Sequence, residues 1–120
     1  LNPVQATYRL KSSEEIASLV KTGQSKVKYP IKVFYKANDQ EGMRIAVVAS
    51  KRLFKRAVDR NRIKRLLREA ILLELKNNED LRHLAHAHLD LLLIFVGKEL
   101  PRLEQLKKSL AFILKHLSAA

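Results

Sequence analysis

Between Lys51 and Glu69 the chain carries nine basic residues, Lys51, Arg52, Lys55, Arg56, Arg60, Arg62, Lys64, Arg65 and Arg68, against two acids, Asp59 and Glu69. Those 19 residues hold +7 of a formal net charge of +12, and the rest of the chain is only mildly basic. A cationic cluster of that density suits a polyanion, nucleic acid before an anionic membrane surface. A second arrangement with chemical potential is Phe34 between Lys32 and Lys36. On alternate strand positions it offers a π-face for a base and ammonium groups for phosphates, as a single-strand platform requires. Taken alone, an aromatic on a strand is more often a packed core residue. His83, His86 and His88, with Asp80 or Asp90, are of metal-ligating type, but their spacing fits no tight helical pair and reads as an exposed polar connector. No nucleophile–base constellation, glycine-rich phosphate loop or paired-carboxylate motif is present. Glu14-Glu15 and Glu79-Asp80 read as helix-start or loop charges, so no protein-borne catalytic residue and no metal site are expected.

The elements that must position these residues follow from local pattern. Ser12 with Glu15 three residues on reads as a capped helix start; Ile16, Leu19 and Val20 give the helix an apolar stripe, and Gly23 stops it. From Val27 to Lys36 the sequence alternates as a strand, with Ile31, Val33 and Tyr35 on one face and Lys32, Phe34 and Lys36 on the other. Asn38 to Gly42 is turn material, and Met43 to Ser50 reads as a second strand. A long helix is expected from about Arg56 to Asn77, and Asp80 to His88 is open between loop and helical turn. Leu89 to Val96 reads as a buried strand. Pro101 suits a first-turn position, followed by an amphipathic helix marked by Leu103, Leu106, Leu110, Ile113, Leu114 and Leu117. The expected order is α-β-β-α-β-α, an α+β two-layer sandwich with helices packed on one sheet, and residues 1–120 are expected to form a single nucleic-acid-binding domain.

The long helix separates its functions by face. At about 100° per residue from Arg60, Ile63, Leu66, Leu67, Ala70 and Leu73 fall roughly between 220° and 340°, while Arg60, Asn61, Lys64, Arg65 and Arg68 fall roughly between 0° and 140°. A merely solvated face mixes signs, because opposite charges at i,i+4 stabilise a helix. Here Arg60, Lys64 and Arg68 stack at i,i+4 without an acid, each like pair costing about a few tenths of a kcal/mol. Basic residues at the helix start also oppose its dipole. A polyanion relieves those costs. A membrane-surface role is disfavoured, because the apolar face lacks Trp or Phe anchors and is needed for the core.

Composition narrows the setting. The 120 residues are 47% hydrophobic with no cysteine, which excludes disulfides and thiolate metal sites and points to a reducing cytoplasm. No apolar run reaches the roughly 20 residues of a membrane span, and Leu1 to Gln5 lack the layout of a secretory signal. The absence of an initiator Met reads as trimming.

The stretch Ser50-Lys51, then Ala57-Val58-Asp59-Arg60-Asn61-Arg62-Ile63-Lys64-Arg65-Leu66-Leu67-Arg68-Glu69-Ala70, resembles the signature of the bacterial ribonuclease P proteins. Arg9-Leu10, Gly23 and the order of elements fit the same family. The resemblance implies a protein that assists a catalytic RNA in removing the 5′ leader from precursor tRNA, with magnesium ions serving the RNA and no cofactor on the protein. It implies no membrane and no obligate protein partner. It places the RNA subunit against Lys51, Arg52, Lys55, Arg56, Arg60, Asn61, Arg62, Lys64, Arg65 and Arg68. It places the leader in a cleft between the first helix and the sheet, at Ile16, Val20, Lys32, Phe34 and Lys36. It also implies a left-handed β-α-β crossover, rare in general. Family members often carry aromatics where this chain has Ile16 and Val20, so stacking should lean on Phe34. The glycine common in the loop before the signature is missing from Leu53-Phe54-Lys55-Arg56. The rival readings are a generic RNA-binding or ribosome-assembly module and a protein-only metal nuclease using the histidines.

Overall fold

A computed structural model of the chain describes residues 7–10, 13–39 and 42–119; Ser12, expected as a helix cap, and Gln40 and Glu41 of the expected turn lie outside these residues. The elements in order are β1 (Thr7–Arg9), α1 (Ser13–Thr22), β2 (Gln24–Lys28), β3 (Ile31–Ala37), β4 (Met43–Ala49), α2 (Ala57–Asn77), a 3₁₀ helix (Glu79–His86), β5 (Leu89–Phe95) and α3 (Leu103–Ala119). The strands form one sheet in the order β1-β4-β5-β3-β2. β1, β4 and β5 run parallel to one another, whereas β3 and β2 are antiparallel to their neighbours. The parallel pair β4–β5 is joined through α2, since a parallel connection must cross over the sheet.

The sheet's two faces are unequally covered. Ile31 and Val33, Met43, Ile45, Val47 and Ala49, and Leu91, Leu93 and Phe95 point to one side, where α2 and α3 pack against them. Ile63, Leu67, Ile71 and Leu75 of α2 are completely buried there. Burying four such side chains is worth on the order of 6–12 kcal/mol, far more than the like-charge repulsion along the same helix. On the opposite side a smaller cluster of Leu10, Leu19, Ala46 and Leu92 packs under α1, with Ile16, Phe34 and Ile94 at its margin. This is the expected α+β sandwich, with α1 laid over part of its outer sheet face.

Three expectations need correcting. The single strand read from Val27 to Lys36 is a hairpin, broken at Tyr29-Pro30 by a cis peptide bond, with Lys28 opposite Ile31. Pro30 has no N–H to give a ladder, so it belongs in a turn. The element order therefore gains β2, and it gains β1 as well. Pro101 precedes α3 rather than lying in its first turn. The segment left open at Asp80 to His88 resolves as the 3₁₀ helix, entered through Asn78, whose side chain accepts from the Asp80 N–H at 3.1 Å.

A polar network, not anticipated from sequence, holds α1 to its face. Arg44 and Asp90 are direct partners across β4 and β5 and join in a two-toothed pair, Nε to Oδ1 at 2.7 Å and Nη2 to Oδ2 at 2.8 Å. Asn38 donates to the same Oδ1 at 2.7 Å, and Glu15 of α1 reaches Arg44 Nη2 at 2.5 Å. The Asp90 hydrogen bond first, opposed by burial and helped by Glu15, raises the Arg44 pKa above its ordinary value. Asp90, considered above as a metal ligand, is committed to this network.

The Arg44 and Asp90 side chains are only 13% and 12% exposed, whereas Glu15 is 43% exposed. Asp90→Ala strands a largely buried guanidinium and should cost about 3–5 kcal/mol in urea denaturation. Glu15→Ala should cost about 1 kcal/mol or less. Equal, small losses from both would show that the pair does not hold the two strands together.

Candidate nucleic-acid interface

The basic cluster is built on a loop and the first turns of α2. After β4 the chain turns at Ser50, whose carbonyl accepts from the Phe54 N–H at 2.9 Å and whose hydroxyl accepts from the Leu53 N–H at 3.3 Å. Phe54 is driven into the core, its ring centroid 5.8 Å from that of Phe95. With that residue pinned inward, Lys51, Arg52, Lys55 and Arg56 are left exposed. The loop manages without glycine because no described non-glycine residue takes a positive φ. The start of α2 has no side-chain cap. Instead, Arg60 Nη1 donates back to the Phe54 and Lys55 carbonyls at 2.8 and 2.9 Å. Arg60 thus braces the loop while it contributes charge.

Along α2 the most exposed members of the expected set are Asn61, Arg62 and Arg65; Arg60, Lys64 and Arg68 are half-buried beside the packed stripe. The buried stripe includes Ile71 and Leu75, while Leu66 and Leu73 are only half-buried. The core face is therefore rotated from the one read by sequence, because α3 and the 3₁₀ helix cover the helix's second half. Burial first, then the neighbouring Arg9 guanidinium, lower the Arg68 pKa from its ordinary value. Arg9 of β1 accordingly extends this surface, a residue the site reading had passed over. None of Lys51, Arg52, Lys55, Arg56, Arg62, Lys64 or Arg65 forms an ion pair with a described residue.

The second surface lies on the outer sheet face. Strand register sets three rows across it: Arg44, Asp90 and Lys36; then Ala46, Leu92, Phe34 and Ser25; then Val48, Ile94, Lys32 and Val27. α1 covers the first two rows over β3 and β5. Its Ile16 and the Phe34 ring flank the small apolar cluster, while Val20, one turn on, remains 45% exposed. The third row is open, with Val48 37% and Val27 54% exposed. The Lys32 ammonium stands 4.9 Å from the Phe34 ring centroid. Lys36 swings toward α1 and donates to the Thr22 hydroxyl at 3.0 Å. Ile16, Val20, Lys32, Phe34 and Lys36 therefore lie on the same outer side of the sheet, with Val27, Val48 and Ile94 on the same sheet face. Those three were legible only through register. The open row ends beside the basic loop, since Val48 is two residues before Ser50.

Gly23 terminates α1 beside β3. Its N–H bonds the Leu19 carbonyl at 2.8 Å, ending α1, and an added Cβ would sit 2.4 Å from that carbonyl oxygen. The histidines do not converge: His83 meets the Ser118 hydroxyl through Nε2 at 3.2 Å, and no grouping of three metal-ligating side chains occurs among the described residues.

The sequence model of the family described as Ribonuclease P matches residues 4–118. A ribonuclease P protein component of Porphyromonas gingivalis is 30% identical over 105 residues, 85% of this chain and 77% of the relative. The Staphylococcus aureus ribonuclease P protein superposes with a TM-score of 0.73 at 25% identity, over 92% of this chain and 94% of the other. The Thermotoga maritima protein shares the fold at 21% identity, with a TM-score of 0.72 over 90% and 96% of the two chains.

Arg65 and Arg60 should separate in their effects on RNA binding. Arg65→Ala should lower the slope of log affinity against log salt by about 0.7 to 0.9, one phosphate contact, without changing the melting temperature. Arg60→Ala should lower the slope and also lose about 1–3 kcal/mol of folding stability, because two carbonyls lose a charged donor. Binding titrations across a salt series, beside thermal melts, decide this; a slope unmoved by Arg65→Ala would place that side chain away from phosphate.

Proposed function

Because the chain belongs to the ribonuclease P protein family, we propose that it works as the protein subunit of ribonuclease P in 5′ maturation of tRNA. The observation that carries this reading is the pairing of two surfaces within one matched fold: an un-neutralised cationic loop and helix, and a groove with an aromatic floor opening beside it. The cationic surface, from Lys51 to Arg68 with Arg9, holds the phosphates of the catalytic RNA. Counterion release on that contact offsets the repulsion among the side chains. The groove takes the single-stranded 5′ leader of precursor tRNA. Phe34 stacks a base, Lys32 and Lys36 meet phosphates, and Ile16, Val20, Val48 and Val27 make apolar walls that read no sequence.

The endonuclease active site in this reading belongs to the RNA. Asp90, a carboxylate held at the sheet, is engaged by Arg44 and Asn38 rather than free to act as a base. Magnesium ions serve the RNA's phosphodiester hydrolysis and take no ligand from this chain. The protein's contribution is positioning: it fixes the RNA scaffold and holds the leader beside it. The setting is the cytoplasm, with ribonuclease P RNA and precursor tRNA as partners. No described helix is long and apolar enough to cross a membrane.

Phe34→Ala should weaken holoenzyme binding of precursor tRNA by roughly 5- to 100-fold, the equivalent of one lost base stack, and leave mature tRNA binding unchanged. Phe34→Leu, which keeps apolar bulk, should behave like Ala in binding while preserving the melting temperature. Equal weakening of precursor and mature tRNA would remove Phe34 from the leader groove. Cleavage by the protein without the RNA subunit would overturn the assignment of catalysis to RNA.

A further inference from the structure

The fold assembles a second aromatic and cationic surface away from α2. Phe112 of α3 is 47% exposed, and two ammonium groups of β2 stand over its ring, Lys28 at 4.9 Å and Lys26 at 5.6 Å from the centroid. Lys108 and Lys115, four residues before and three after Phe112, are exposed along the same side of α3. Ser109 donates to the Tyr29 carbonyl at 3.0 Å, fixing α3 against the β2–β3 turn. No acid occurs from Ile16 to Asn38 or from Gln105 to Ala119, so the lysines gather without local neutralisation.

Lysines on an edge strand guard against edge-to-edge pairing, and that accounts for Lys26 and Lys28 alone. It does not account for a half-exposed phenylalanine set among them, nor for the acid-free flank of α3. We propose that Phe112, with Lys26, Lys28, Lys108 and Lys115, is a second stacking station for single-stranded RNA. It takes nucleotides of the leader that lie beyond the groove. β2 is the link. Val27 faces the groove beside Lys32, while Lys26 and Lys28, on the opposite face of the same strand, address Phe112. A strand leaving the groove over this edge therefore meets Phe112 directly. The occupant is polyanionic by charge and single-stranded by the need for an unstacked base. The identification of that strand as leader rests on the groove reading above.

The test compares precursor tRNAs with leaders of about 4 and about 16 nucleotides, the range of a single-strand site on one small fold, bound to the reconstituted holoenzyme. Phe112→Ala should weaken the long-leader substrate by about 5- to 100-fold and spare the short one, and Phe112→Leu should do the same. Phe34→Ala should weaken both lengths. A parallel titration uses a single-stranded RNA of about 16 nucleotides and an RNA duplex against the protein alone. Phe112→Ala should weaken the single strand and not the duplex. If Phe34→Ala has no effect while the single-strand loss persists, the groove reading fails and the station stands. The station is overturned if Phe112→Ala leaves single-strand and long-leader binding unchanged, or weakens both leader lengths or the duplex equally.

Discussion

The Arg44 guanidinium sits where the outer sheet face, the parallel β4–β5 pair and α1 meet, and the groove's shape depends on it. Paired squarely with Asp90 across the strands and reached by Glu15 from the helix, it ties α1 down at its N-terminal end. Beyond that tie the helix inserts its own Leu19 among three buried residues, Leu10, Ala46 and Leu92. Leu19, buried at 1% exposure, supplies the apolar hold, and the Glu15–Arg44 contact orients the helix end over the sheet. The buried pair acts as a register device, since its net contribution to stability is small even though its disruption is expensive.

The inner face supplies what the outer face does not. Burial of α2 and α3 against the sheet is strong enough to hold like charges side by side on α2, and the repulsion that salt does not screen is what a polyanion relieves. Phe54 and Arg60 serve that purpose from opposite ends of one loop, the ring by burial and the guanidinium by capping carbonyls. Rigid presentation matters, because phosphate contacts orient an RNA only when the cations are held in place.

β2 stands between the groove and the Phe112 surface, with almost nothing of its own buried. Each of its faces serves a different neighbour. An edge strand of this kind contributes little core energy, which leaves its side chains free to be chosen for contacts outside the molecule. The lysines that keep the edge from pairing with another sheet also line the path from one aromatic to the other.

Composition and period alone determined the α+β class, the bounds of α2 to within a residue at each end, the cationic cluster and the alternation that puts Phe34 on the sheet face opposite Ile31 and Val33. These are local properties: a 3.6-residue period, a 2-residue period and a run of one charge sign. The split of the hairpin at Pro30 was also local but was masked by alternation that continues on both sides of the turn. Which residues meet across elements was decided by tertiary structure. Arg44 and Asp90 lie 46 residues apart, and only strand register sets them opposite each other. Arg9 joined the basic surface because β1 pairs beside α2's own strand, β4. Lysines spread through an only mildly basic remainder became a patch around Phe112 because α3 packs along β2. Charge along the chain is additive and readable, whereas charge in space depends on long-range pairing, which is set by burial of the whole core at once.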